Sequence, residues 1–131
     1  MILGVDFGLK RIGLAIADEK DSFSVALTTV ENDRLMAEII KVIEDKRVSK
    51  IVMGYPLNGS GQEGFIALMT KTFMGKLQEK FPDIEFILID ESMSTKIAIQ
   101  HLRSLGYSAK SIEEKKDAEA ARVILDAYLK S

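Results

Sequence analysis

The hydrophobic period of the chain changes between Val30 and Leu35, and that change limits the folds open to it. Before it, Ile2 to Phe7, Arg11 to Ala17 and Ser24 to Val30 read as three strands, the last rich in β-branched Thr28, Thr29 and Val30. The first two are joined by a tight Gly8-Leu9-Lys10 turn, so the short connections predict an antiparallel meander. After it, Leu35, Met36, Ile39, Ile40 and Ile43 recur at helical spacing, with Asn32 or Asp33 placed to cap. Ile51 to Gly54 reads as a short buried strand. A long helix then carries Phe65, Met69, Phe73, Leu77 and Phe81 at intervals of four, read as core, with Pro82 as its stop. Phe86 to Ile89 is a continuous apolar strand of the kind buried on both faces. Ser94 or Thr95 can cap the next helix and Gly106 can end it. A last helix is expected from about Glu113 to Leu129. The order β-β-β-α-β-α-β-α-α predicts an α/β protein. Its five-stranded mixed sheet has three antiparallel strands followed by parallel βα crossovers, flanked by helices.

At 131 residues, with no linker, repeat or low-complexity segment, residues 1–131 are expected to form a single domain. Hydrophobic residues at 47% and charged residues at 29% fit a water-exposed globular surface over a real core. The chain has no cysteine and one histidine, which excludes disulfides, thiolate chemistry and zinc sites built on Cys or His. Any metal must be held by oxygen ligands, and these select hard ions such as Mg2+ or Mn2+. No basic segment followed by a long apolar stretch opens the chain, and no run approaches the roughly 20 apolar residues that cross a bilayer. A cytoplasmic protein with no membrane partner is expected. The net charge of −2 means that a polyanion would be met by a local basic patch rather than by the whole surface.

Three carboxylates stand where a structural role is hardest to supply. Asp6 shares a strand face with Ile2, Gly4 and Gly8, whose glycines leave room near the backbone. An ionised carboxylate there is costly unless paired or metal-bound; the plainer reading is a strand-end Asp bonded to turn amides. Asp90 and Glu91 both follow the buried strand, where open α/β sheets bind ligands, and pattern does not choose between them. Asp117 lies on one stripe with Ala121, Ile124 and Tyr128, at offsets of four, seven and eleven. That stripe should face the sheet, leaving Glu119 and Asp126 on a solvated side. Carboxylates from three separate elements suit a site that hydrolyses phosphodiesters with magnesium.

The segment Gly4-Val5-Asp6-Phe7-Gly8-Leu9-Lys10-Arg11-Ile12-Gly13-Leu14-Ala15 resembles the opening motif of the YqgF/RuvX family, relatives of the RuvC resolvases in the ribonuclease-H-like superfamily. The match continues through Gly54-Tyr55-Pro56-Leu57-Asn58-Gly59-Ser60 to Gly64, at Asp90-Glu91-Ser92-Met93-Ser94-Thr95, and at Lys116-Asp117 with Ala120-Ala121 and Tyr128-Leu129. The resemblance implies a ribonuclease-H-like fold. It makes Asp6, Glu91 and Asp117 the catalytic and metal-holding acids, and it is what selects Glu91 over Asp90. It further implies a metal-dependent endonuclease acting on structured nucleic acid, favouring maturation of the 5′ end of the small-subunit ribosomal RNA precursor. The alternatives are resolution of branched DNA, or a non-catalytic module that binds RNA or takes part in ribosome assembly. The ribosome or its assembly factors are further expected partners, with the chain a monomer or weak homodimer. Lys10, Arg11 and Lys116 are the expected phosphate contacts, with Lys110 and Lys115 as further candidates. One departure stands out: the family usually has Arg directly after the Glu, and here the residue is Ser92, which cannot hold a phosphate bidentately.

Other polar features have ordinary explanations. The loop Asn58-Gly59-Ser60-Gly61 precedes a helix but lacks the Lys-Ser/Thr of a P-loop. The Asp6-to-Gly13 hairpin also looks like the first phosphate loop of actin-like ATPases, but those enclose nucleotide with a second domain that this length does not hold. His101 is expected to be packed or solvated rather than catalytic.

Overall fold

Strand pairing follows the predicted change of period. In a computed structural model that describes residues 1–55, 62–90 and 93–131, with only the backbone of 62 and 63, five strands and four helices succeed one another. They are β1 (Ile2–Asp6), β2 (Arg11–Ala17), β3 (Val25–Glu31), α1 (Leu35–Lys46), β4 (Lys50–Tyr55), α2 (Gln62–Lys80), β5 (Glu85–Asp90), α3 (Ser94–Ser104) and α4 (Ala109–Leu129). The sheet order is β3-β2-β1-β4-β5. β1 to β3 form the antiparallel meander, and β4 and β5 add parallel to β1 after helical crossovers.

Alternation along the strands separates two cores. Leu3, Val5 and Phe7, with Ile12, Leu14, Ile51 and Met53, face α1 and α2 and meet Leu35, Ile39, Ile43, Phe73 and Leu77. Fully burying each such Leu or Ile contributes roughly 1.5–3 kcal/mol. Ile2, Ala15, Ala17 and Val52 face the other way, onto Ala121, Ile124 and Leu125 of α4. Small residues dominate this second face, so α4 lies close to the sheet. Phe86 and Leu88 of β5 pack into the first core, and Ile87 and Ile89 into the second. Both faces of β5 are therefore covered, although as an edge strand it keeps partial exposure.

Several details depart from the sequence reading. Asn32 and Asp33 do not cap α1: they open a 3₁₀ turn, Asn32–Arg34, and Asn32 Nδ2 donates instead to the Gly8 carbonyl at 2.8 Å. Met93 takes the N-cap position of α3 with no side-chain bond, and Ser94 is buried as its first residue. Gly106 follows α3 with φ 88°, the left-handed position where glycine carries no Cβ penalty. α4 begins a turn earlier than expected, where the Ser108 hydroxyl accepts from the Ser111 N–H.

Phe65 and Met69 are not core; they are 52% and 36% exposed. A strict four-residue spacing advances about 40° per step around a helix, so that row walks off the packed face. The stripe that packs is Ile66, Thr70, Phe73 and Leu77. Glu119 and Asp126 are not solvated either. α3 packs on the outer side of α4, and both acids are buried in a chain of polar contacts. Asp126 Oδ1 accepts from the Ser24 N–H and hydroxyl, and Arg122 pairs with both Asp126 and Glu119. Two buried carboxylates around one guanidinium satisfy the pairing that burial demands.

Candidate active site

Asp6 is the last residue of β1, and its neighbours across the sheet are both glycines. Gly13 is its partner on β2 and Gly54 its partner on β4. Asp6 thus extends from the α4 side of the sheet between two strands that carry no side chain at that level. Gly4 and Gly8 do not leave the room that their place in the sequence suggested. A Cβ on Gly4 would sit 2.8 Å from Leu125 Cβ, so the helix fills that position, and one on Gly8 would meet the Arg11 carbonyl at 2.4 Å within the turn.

The absence of a side chain on Gly13 lets the α4 backbone approach the sheet. A Cβ on Gly13 would lie 1.8 Å from the Asp117 carbonyl oxygen, so the backbone of α4 rests on the strand residue that pairs with Asp6. Asp117 continues the stripe of Ala121 and Ile124 onto the sheet, as its helical spacing predicts.

The Asp117 side chain keeps 21% exposure, yet its Oδ2 is fully buried and accepts no hydrogen bond. Arg11 Nε approaches that oxygen to 3.3 Å, close enough for an ion pair, but its N–H is not directed to make a hydrogen bond. The Arg11 guanidinium is turned toward Glu113 instead, donating from Nη2 to Oε1 at 3.1 Å, while Lys116 Nζ reaches Glu113 Oε2 at 3.0 Å. Burial pushes the Asp117 carboxyl above its ordinary value, with Arg11 and then Lys116 opposing and Glu113 adding to the rise. Glu113 moves the other way, pulled down by hydrogen bonds from Lys116 and Arg11.

Of the residues singled out from sequence, Asp6 and Asp117 are linked through Gly13, the register partner of Asp6 on which the Asp117 backbone rests. Asp90 ends β5, exposed, paired with Tyr55 and on the strand face of Phe86 and Leu88. Glu91 and Ser92 lie outside the described residues, as does the loop 58–61. Among the described residues no three Asp, Glu or His side chains are grouped as metal ligands. Lys10 is exposed in the β1–β2 turn. Arg11 and Lys116 are both engaged with Glu113, while Lys110 and Lys115 lie exposed on the first turns of α4. His101 is exposed, with Nε2 3.8 Å from Glu119. Sequence reasoning missed Glu113, although it lies one helical turn before Asp117, on the side that Arg11 reaches.

A five-stranded mixed sheet in this order, flanked by helices, has the ribonuclease-H-like fold. Solved structures agree: the Fowlpox virus resolvase in complex with Holliday junction DNA matches with a TM-score of 0.61 at 11% identity, over 98% of this chain and 96% of that one. Thermus thermophilus RuvC with a Holliday junction substrate matches at 0.54 and 13%, over 98% and 92%. At such identities the likeness is one of fold. The chain belongs to the RuvX family, whose model, described as Holliday junction resolvase, matches residues 1–131. Its relatives include a Mycoplasmopsis synoviae protein, 39% identical over 97% of this chain and 95% of its own, and an Anaeromyxobacter protein, 41% identical over 97% and 94%. Both carry the name "Putative pre-16S rRNA nuclease". Family membership makes this chain a nuclease, a hydrolase of phosphodiester bonds.

Proposed function

We propose that the chain is a divalent-cation-dependent endonuclease that trims the precursor of 16S ribosomal RNA in the cytoplasm, with Asp6, Glu91 and Asp117 as its acidic ligands. The observation that carries this reading is the placement of the Asp117 backbone on Gly13, the register partner of Asp6. Two acidic residues from distant parts of the chain are thereby brought to neighbouring positions around one strand glycine. The donor set fits a hard cation. It is all oxygen, and one Asp117 oxygen is buried without a hydrogen bond, a state that a cation at the carboxylate would relieve. When bound, Mg2+ or Mn2+ would supply charge stabilisation and activation of water for phosphodiester hydrolysis.

The chain's own contribution is positional. Asp6 is fixed by two ladders, on β2 and on β4, and Asp117 by a helix seated on the sheet. The choice of Glu91 as the third acid is supported by the match of Asp90-Glu91-Ser92 to the family's sequence pattern. The names of the full-length relatives support the RNA substrate, and the family description supports junction DNA as the competing one.

The decisive assay incubates wild type, Asp6→Asn, Glu91→Gln and Asp117→Asn with precursor ribosomal RNA and with a four-way DNA junction in Mg2+. Wild type is expected to cut the RNA, and each variant to fall by about a thousandfold or more while remaining folded. Cleavage of the junction alone would transfer the reading to resolution of DNA. Cleavage of neither would leave a binding module.

A further inference from the structure

Arg11 begins β2 on the strand face that α4 covers, the face of Gly13 and Ala15. Its guanidinium lies between two acids of one helix, Nη2 on Glu113 at 3.1 Å and Nε 3.3 Å from the buried oxygen of Asp117. The two contacts differ in kind. The bond to Glu113 is directed, whereas the approach to Asp117 supplies positive charge without a hydrogen bond. Glu113 is itself held by Lys116, so it is a well-anchored seat for the guanidinium. An arginine used to orient Asp117 would direct an N–H at it; an arginine used to balance its charge need only be near.

Building on the reading of Asp6 and Asp117 as a cation site, we infer that Arg11 is the internal counter-ion of that site and sets its affinity for divalent cations. In the cation-free protein the guanidinium compensates Asp117, and Glu113 keeps it in place. A divalent cation at Asp117 brings the same sign of charge to the same carboxylate, so the two compete electrostatically. Removing Arg11 therefore has two opposite consequences. The cation-free protein loses a compensating charge beside a half-buried carboxylate, and the cation gains a site with less opposing charge. A residue serving only to hold the fold would weaken both.

The test measures Mn2+ binding by calorimetry and thermal melting with and without Mn2+, on the full chain without nucleic acid. Arg11→Met is expected to melt below wild type in chelator and to bind Mn2+ roughly tenfold more tightly, the scale of one nearby charge at moderate screening. Arg11→Lys keeps the charge and should bind within about threefold of wild type, which keeps the inference testable if the Met variant folds poorly. Lys116→Met is the control: it removes an equal charge paired to Glu113 but not to Asp117, and should tighten binding distinctly less. Equal tightening by Lys116→Met would reduce the effect to the general field and overturn the inference. Weaker or unchanged binding by Arg11→Met would also overturn it, as would clear tightening by Arg11→Lys. Wild type that binds no Mn2+ would remove the cation site itself, and with it the affinity-setting role. An unchanged chelator melt of Arg11→Met would separately remove the counter-ion role.

Discussion

Asp117 carries an oxygen that solvent does not reach and that accepts no hydrogen bond, next to a guanidinium aimed elsewhere. Burial is the larger influence on its carboxyl, which is held above the ordinary value despite Arg11 and Lys116. A carboxyl raised on folding favours the folded state below its unfolded value, and that advantage is lost as pH rises through the folded value. At neutral pH the ionised group therefore costs stability in the cation-free protein. Asp117→Asn is expected to raise the melting temperature in chelator at pH 7, by an amount worth roughly 1 kcal/mol or less, because Arg11 loses part of its compensation at the same time. The gain should shrink as pH falls from 7 toward about 4, as the wild-type carboxyl takes up a proton. Melts at the two pH values check this; an equal gain at both would assign the effect to packing. The same substitution is expected to stabilise the fold and abolish cleavage, the usual opposition between a functional charge and stability.

At the scale of elements, the site depends on how closely α4 approaches the sheet, and two glycines set that distance unequally. A Cβ on Gly13 would meet backbone at 1.8 Å, whereas one on Gly4 would meet a leucine Cβ at 2.8 Å. Gly13→Ala must lift the helix and should cost about 2–4 kcal/mol in urea unfolding; Gly4→Ala, which meets Leu125 Cβ at 2.8 Å and the Ala121 carbonyl at 3.0 Å, needs a smaller helix shift and should cost about 1–2. Gly13→Ala should also weaken Mn2+ binding, because Asp117 moves away with the helix. A larger loss for Gly4→Ala would show that the helix tilts about the Gly13 contact rather than rests on it. These elements were largely legible in the sequence. Strand period and helical period separate cleanly at Val30 and Leu35, and Asp6 and Asp117 stood out as carboxylates on apolar faces. What escaped depends on contacts between elements. Glu119 and Asp126 read as solvated because a helical wheel knows one packed face, and α4 has two, the sheet and α3. Phe65 and Met69 read as core because a four-residue row resembles a stripe over one turn and drifts from it over three. That Gly13 and Gly54 both flank Asp6 required the register of three strands.

For the molecule as a whole, a chain of net charge −2 must meet a polyanion through a local basic patch. Much of its charge is spent internally: the half-buried Arg122 is paired with Glu119 and Asp126, and Arg11 and Lys116 are occupied by Glu113. Lys10 differs from these two expected phosphate contacts. It lies exposed in the turn that joins β1 to β2, four residues after Asp6 and beside Arg11, and no ion pair among the described residues engages it. A phosphate brought to the carboxylates would pass near this turn, where a lysine can neutralise it without giving up an internal partner. Binding of an RNA duplex in Ca2+, followed by anisotropy over a range of KCl concentrations, measures how many phosphates are neutralised. Lys10→Glu should weaken binding at low salt and reduce the magnitude of the log–log salt slope by about 1, the loss of one phosphate contact. Lys41→Glu serves as the control, because Lys41 is exposed on α1, which packs against the other face of the sheet. It changes net charge equally and should leave the slope unchanged. If both variants flatten the slope alike, attraction comes from the charge of the whole surface; if neither does, the nucleic acid reaches the site from another side.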